Sequence, residues 1–123
     1  MGYTVEYQPD KDLIIVRHEG DLDYNVLLSY GAEALKLATQ HNCHRVLLDQ
    51  TRSVIVEGTT RIFEFVTKLD TLGLQRTDKV AVLIARDIAD HLFFETVARN
   101  REYNLRYFYD VAPAIDWLEQ TQP

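Results

Sequence analysis

From Tyr3 to Gln8 apolar and polar residues alternate. Tyr3, Val5 and Tyr7 fall on one side, Thr4, Glu6 and Gln8 on the other. A period of two predicts a strand with one buried face. Pro9-Asp10-Lys11-Asp12 supplies turn residues, with proline presetting φ for the bend. Leu13-Ile14-Ile15-Val16 is apolar at every position, which predicts a strand covered on both faces. The two runs read as an antiparallel hairpin, closed by a break at Gly20-Asp21.

The period then changes. Val26, Leu27, Tyr30, Ala34, Leu37 and Ala38 recur at three and four residues, predicting a helix from Asp23 to about Gln40 with Asp23 as its N-cap. His41-Asn42 ends it. Val46-Leu47-Leu48 reads as a buried strand closed by Asp49, and residues 50–58 as a loop. Thr59 or Thr60 caps a second helix with an apolar stripe of Ile62, Phe63, Val66 and Leu69, and Gly73 suits its C-terminal end. Val80-Ala81-Val82-Leu83-Ile84 is a further buried strand. Asp87 or Asp90 opens a third long helix with Leu92, Phe93, Val97 and Ala98 inward. Leu105 to Tyr109 forms the last strand. Asp110 caps a short final helix, in which Pro113 is tolerated in the first turn and Trp117 and Leu118 dock onto the body.

The order ββαβαβαβα predicts an α/β fold: a mainly parallel sheet of about five strands, with the first strand antiparallel. Right-handed crossovers between strands adjacent in chain order put the helices on one face. The strands near Leu47 and Val82 are nevertheless apolar at every position. A second subunit covering the other face, in a homodimer, is the expected remedy.

Composition adds limits. The chain has 123 residues, of which 46% are hydrophobic and 26% charged, and no linker, repeat or low-complexity tract divides it. A single domain over 1–123 is expected. Thirteen Lys and Arg against 19 Asp and Glu give a net charge of −6. With the bases scattered, that disfavours a phosphate-backbone partner, so no nucleic acid is expected, nor an anionic membrane surface. No run approaches the ~20 apolar residues of a membrane span. No basic-then-apolar signal sequence is visible, and Cys43 is the single cysteine. Together these point to the cytoplasm.

The element order, the Val46-Leu47-Leu48-Asp49 strand end, Lys79-Val80-Ala81-Val82-Leu83, and the closing Leu105-Arg106-Tyr107-Phe108-Tyr109-Asp110 with Ala114-Ile115-Asp116-Trp117-Leu118 resemble the SpoIIAA-like family. These are small bacterial proteins grouped with STAS and Sec14-type domains. The resemblance implies a non-enzymatic binding or regulatory module with a protein partner. In the anti-sigma-factor antagonists of the wider STAS group, a serine in an Asp-Ser-Ser-Gly turn opens the helix after the third strand, and a partner kinase phosphorylates it. This chain carries Glu57-Gly58-Thr59-Thr60 there. The acidic residue is kept, the serine pair is not, and Thr59 is the nearest acceptor. A phosphate there would add about −1.5 to −2 charge beside a helix N-terminus. Asp49, Ser53, Glu57 and Thr59 are therefore the candidate binding and regulatory residues. The Sec14 grouping implies the alternative, a small-molecule or lipid-binding protein with an apolar cleft near the third helix, around Leu92-Phe93-Phe94 and Tyr103 to Tyr109.

Other groupings carry less. Glu19, Asp21, Asp49, Asp87 and Asp110, with Arg52 and Arg86, fall at strand ends, where α/β proteins place ligands. An acid before a helix is also explained by capping alone. Asp49 ends a Leu-Leu-Asp strand as the phosphoacceptor of receiver domains does, but no Lys follows the last strand and the leading hairpin is foreign to that fold. His41, Cys43 and His44 lie within four residues without a second cysteine, too few for a structural zinc site. His18 and His91 have no neighbouring Ser or Cys nucleophile in sequence. No phosphate-binding glycine loop is present. No catalytic residue, metal or cofactor is expected.

Overall fold

A computed structural model of the chain describes residues 2–85 and 89–120, without the side chains of Thr59 and residues 89–94. The elements are β1 (Tyr3–Gln8), β2 (Leu13–Leu22), α1 (Tyr24–His41), β3 (Arg45–Ile55), α2 (Thr59–Thr67), α3 (Leu69–Leu72), β4 (Lys79–Leu83), α4 (Ala89–Asn100), β5 (Asn104–Phe108) and α5 (Val111–Glu119). One five-stranded sheet runs in the order β1-β2-β3-β4-β5. β1 pairs antiparallel with β2, and all later pairs are parallel.

Each strand sorts its side chains by parity. Ile14, Val16, Val46, Val80, Val82 and Leu105 pack with α1, α2, α3 and α4 in the larger core. Tyr3, Val5 and Tyr7 join them from β1. Leu13, Ile15, Leu47, Ala81 and Leu83 point to the opposite face, against Ala114, Trp117 and Leu118 of α5. Both faces of the central strands are therefore covered from within one chain. The face that the crossover rule leaves for a second subunit is occupied by the last helix, and with it goes the ground for expecting a homodimer.

α5 is fixed at its far end by a buried amine. Lys79 Nζ donates to the carbonyls of Trp117 and Gln120, each at 2.7 Å. It also lies 5.0 Å from the Trp117 ring centroid. A cation on the last carbonyls of a helix complements its dipole. Burial pulls the Lys79 amine below its usual range, because desolvation disfavours the charged form.

Local chemistry explains most helix ends. Asp23 Oδ1 accepts from the Val26 N–H at 2.9 Å and opens α1. Asn42, at φ 50°, closes it in the left-handed conformation. Gly73, at φ 109°, closes α3 in the same way.

Several expectations are corrected. β2 does not break at Gly20-Asp21 but runs to Leu22, with Gly20 at φ 97° inside the strand. The segment expected to be a loop over 50–58 is strand as far as Ile55. The N-cap of α2 is Gly58, with no side-chain cap bond, so Thr59 and Thr60 are the first helical residues. Phe63 is 45% exposed beneath the Arg101 guanidinium, and Phe65 fills the inward place. Asp110 stands at the N-cap of α5 without a side-chain bond. α4 starts at Ala89, so Asp90 is a first-turn residue. Arg86 and Asp87, and the side chains of His91, Leu92, Phe93 and Phe94, lie outside the described residues. No described helix is long and apolar enough to cross a membrane.

Candidate functional site

The carboxyl end of the sheet is dominated by a two-stranded ribbon. β4 pairs with β3 only as far as Asp49↔Leu83, whereas β2 stays with β3 to Leu22↔Ile55. From Gln50 onward β3 therefore has a neighbour on one side only among the described residues. An open strand edge presents unpaired N–H and C=O groups to any chain that can lie beside it.

The ribbon changes register at its base. Between the pairs Arg17↔Asp49 and Glu19↔Arg52, β3 advances three residues while β2 advances two. One extra residue on one strand is a β-bulge, and it reverses the parity of the residues beyond it. Before it Val46, Leu48 and Gln50 face the larger core; after it Ser53 and Ile55 do. Asp49 pins this bulge. Its Oδ1 accepts from the Thr51 backbone N–H at 3.0 Å and the Thr51 hydroxyl at 2.7 Å.

Ser53 reaches the buried ring of His18, which is 6% exposed. Ser53 Oγ lies 2.7 Å from His18 Nδ1 and 3.1 Å from the His18 carbonyl. A hydroxyl has one proton. Donated to the carbonyl, it leaves Oγ to accept from Nδ1–H, and that arrangement satisfies both contacts. The serine then serves as a tie between β2 and β3 rather than as an activated nucleophile. Burial pulls the His18 ring below its usual range, outweighing nearby carboxylates.

Glu57 crosses back to α1: its Oε2 accepts from the Tyr24 N–H at 2.8 Å. Together with Asp23 it satisfies two of the orphan donors at that helix start. Arg61 of α2 sits 3.8 Å over the Tyr24 ring, tying the two helix starts together. Of the four candidate residues, Asp49 and Ser53 brace the ribbon, Glu57 ties its end to α1, and Thr59 begins α2. They succeed one another along a single edge without converging on one point.

On the α5 face Thr4, Arg17, Glu19, Asp49, Thr51 and Arg52 border an open groove of about 470 Å³. Its cations are already matched: Arg17 to Glu6 at 2.7 Å and Arg52 to Glu19 at 3.7 Å. Exposed pairs of this kind leave little field for a charged ligand. The His41, Cys43 and His44 cluster divides. His41 stacks on Tyr7, His44 pairs with Asp78 at 2.7 Å, and Cys43 is buried with its thiol on backbone carbonyls. Among the described residues no group of side chains is arranged to hold a metal.

What sequence reasoning missed is the outer half of β3. Gln50-Thr51-Arg52 is polar because the bulge and the ribbon are solvated, and along the chain such polarity looks like a loop. The β-branched run Val54-Ile55-Val56 was the available signal. His18 was also legible, as the third inward position after Ile14 and Val16.

This architecture, a sheet with one antiparallel edge strand, helices on one face and a terminal helix on the other, is the SpoIIAA-like fold. The chain superposes on the unphosphorylated anti-sigma factor antagonist SpoIIAA with a TM-score of 0.56 and 12% identity, over 97% of this chain and 99% of that one. Phosphorylated SpoIIAA, the Bacillus cell fate determinant, gives 0.54 and 13%, over 95% and 99%. A protein of the DUF3478 family with a SpoIIAA-like fold from Shewanella loihica PV-4 gives 0.64 and 16%, over 95% and 93%. At such identities the fold is what is shared. No family model matches the sequence, and no curated protein matches it.

Proposed function

We propose that the chain is a non-enzymatic, cytoplasmic binding or regulatory module of the STAS type, which engages a protein partner through the β2–β3 ribbon and the start of α2. One observation carries this: the ribbon end is apolar and open. Val54 is 59% exposed, on a strand whose outer edge has no neighbour among the described residues, and Val56, just past the strand end, is 51% exposed. Exposed valines on an unpaired edge are a liability that a solitary protein blunts with charge or proline. A partner that adds a strand, or packs on the valines, turns the same feature to use. The commitment of the Ser53 hydroxyl to a backbone carbonyl supports a role without catalysis. Thr59 stands at the first helical position of α2, beside this surface in sequence, so a phosphate added there would bring negative charge to a helix N-terminus.

The test is affinity capture from the source organism's own lysate. Wild-type protein retains a discrete partner in near-stoichiometric amount. The double variant Val54→Asp/Val56→Asp loses it while its melting temperature stays within about 2 °C, since exposed substitutions cost little. Thr59→Glu lowers capture as well. No retained protein, or equal retention by the double variant, would falsify this reading.

A further inference from the structure

Between α1, α2, α3 and the sheet lies a cavity of about 70 Å³ that the binding surface above does not use. Its wall is aliphatic and aromatic, with Leu27, Ala34, Ile62, Leu69 and Val82 among the contributors. Two polar side chains of that wall bond to each other, Tyr30 from α1 and Gln50 from β3, exposed by only 2% and 6%. Gln50 Nε2 donates to the Tyr30 hydroxyl at 2.5 Å. That single bond leaves the Gln50 carbonyl oxygen, its second N–H and the Tyr30 hydroxyl proton without partners among the described residues. Buried polar groups in native proteins nearly always find partners. Three unmet positions at one end of an apolar void are the pattern of a ligand pocket, in which a few convergent polar groups orient an otherwise apolar guest.

We propose that this cavity binds a small neutral molecule, apolar except for one hydroxyl or carbonyl, with that head group on Tyr30 and Gln50. The size comes from comparison. A dry engineered cavity of ~150 Å³ takes benzene, so half that volume takes roughly three to five heavy atoms. Neutrality comes from the lining, which among the described residues offers no cation or carboxylate to offset a buried charge. Burial also holds the Tyr30 hydroxyl protonated, pushing it well above the usual phenol range. Tyr107 of β5 lines the same space and is shifted in the same direction by the same cause. The sequence places an apolar cleft near the third long helix; the cavity lies under α1 and α2, where Gln50 is hidden inside an apparent loop.

The test uses 1-propanol and propionate on the full chain with 13C-labelled Ile, Leu and Val methyl groups. Propanol is expected to produce saturable shifts at Ile62, Leu69 and Val82, with a dissociation constant on the order of millimolar for so few atoms. Nuclear Overhauser contacts from the alcohol to those methyls would accompany the shifts. Propionate should bind at least tenfold more weakly. Ala34→Leu, which fills the void, should abolish the saturable shifts, and Gln50→Met should weaken propanol at least fivefold. If Ala34→Leu does not fold, the Gln50→Met and propionate comparisons decide alone. Non-saturable shifts, equal binding of propionate, or full binding by Gln50→Met would overturn the proposal.

Discussion

Trp117 is the side chain on which closure of the second sheet face depends, and its replacement by alanine gives the sharpest structural prediction. The indole is 8% exposed. It lies 5.8 Å from the Phe108 ring at 45° and within reach of the Lys79 ammonium. A tryptophan buries ~200 Å², and ~25 cal/mol per Å² gives ~5 kcal/mol. That is an upper bound, since unfolded chains already bury part of this surface. Large-to-small core substitutions of aromatic residues cost ~3–5 kcal/mol. The expectation for Trp117→Ala is therefore a loss of ~3–5 kcal/mol, or roughly 12–20 °C in melting temperature for a domain of this size. Urea unfolding followed by far-ultraviolet circular dichroism measures it, because the chain has no other tryptophan to report by fluorescence. The variant should also expose Leu13, Ile15, Leu47 and Leu83, so its light-scattering mass should rise with concentration more steeply than that of wild type. A loss below about 1 kcal/mol with no change in mass would refute the seating of α5. It would return the face to a second copy of the chain.

Three further outcomes rest on the same kinds of contact. Glu57→Ala removes the acceptor of the Tyr24 N–H and should cost ~1 kcal/mol in thermal or urea unfolding, whereas Glu57→Asp should recover only part, being too short to span from the start of α2 to α1. Gly31→Ala should stabilise by ~1 kcal/mol: the position is mid-helix, and its new methyl meets Leu72 and Phe65 at 3.6–3.8 Å, ordinary contact distances. Melting temperature should fall as pH drops from 7.5 to 5, because His18 is held below its unfolded value and the unfolded chain then takes up a proton that the folded chain resists. His18→Gln should flatten that slope, and an unchanged slope would mean that the ring is not buried.

The apolar runs around Ile15, Leu47 and Val82 revealed a parallel sheet because strands covered on both faces have no polar side to blur the reading. The cap at Asp23 and the stops at Asn42 and Gly73 were equally local, each set by one residue's chemistry. What stayed hidden was non-local. Nothing in Trp117 or Leu118 says which face of the sheet they meet, because a crossover rule places helices between parallel strands and not the helix beyond the last one. The bulge at Asp49-Gln50-Thr51 was illegible for a different reason. A register shift exists only between two strands, and its cause, an Asp carboxylate bonding two residues ahead, also occurs in ordinary turns. The order of the candidate residues along the chain was enough to place them at the carboxyl end of the sheet. Their partners, His18 for Ser53 and Tyr24 for Glu57, lie 35 and 33 residues away.

The claim at the centre is that the open ribbon end meets another protein. A photo-crosslinking phenylalanine analogue placed at position 54, with a control at the exposed Thr77 at the opposite, amino end of the parallel strands, tests it most directly in the source organism's own lysate. The account predicts one discrete crosslinked product from position 54 and none from position 77. Equal products from both positions, or none from position 54, would contradict it.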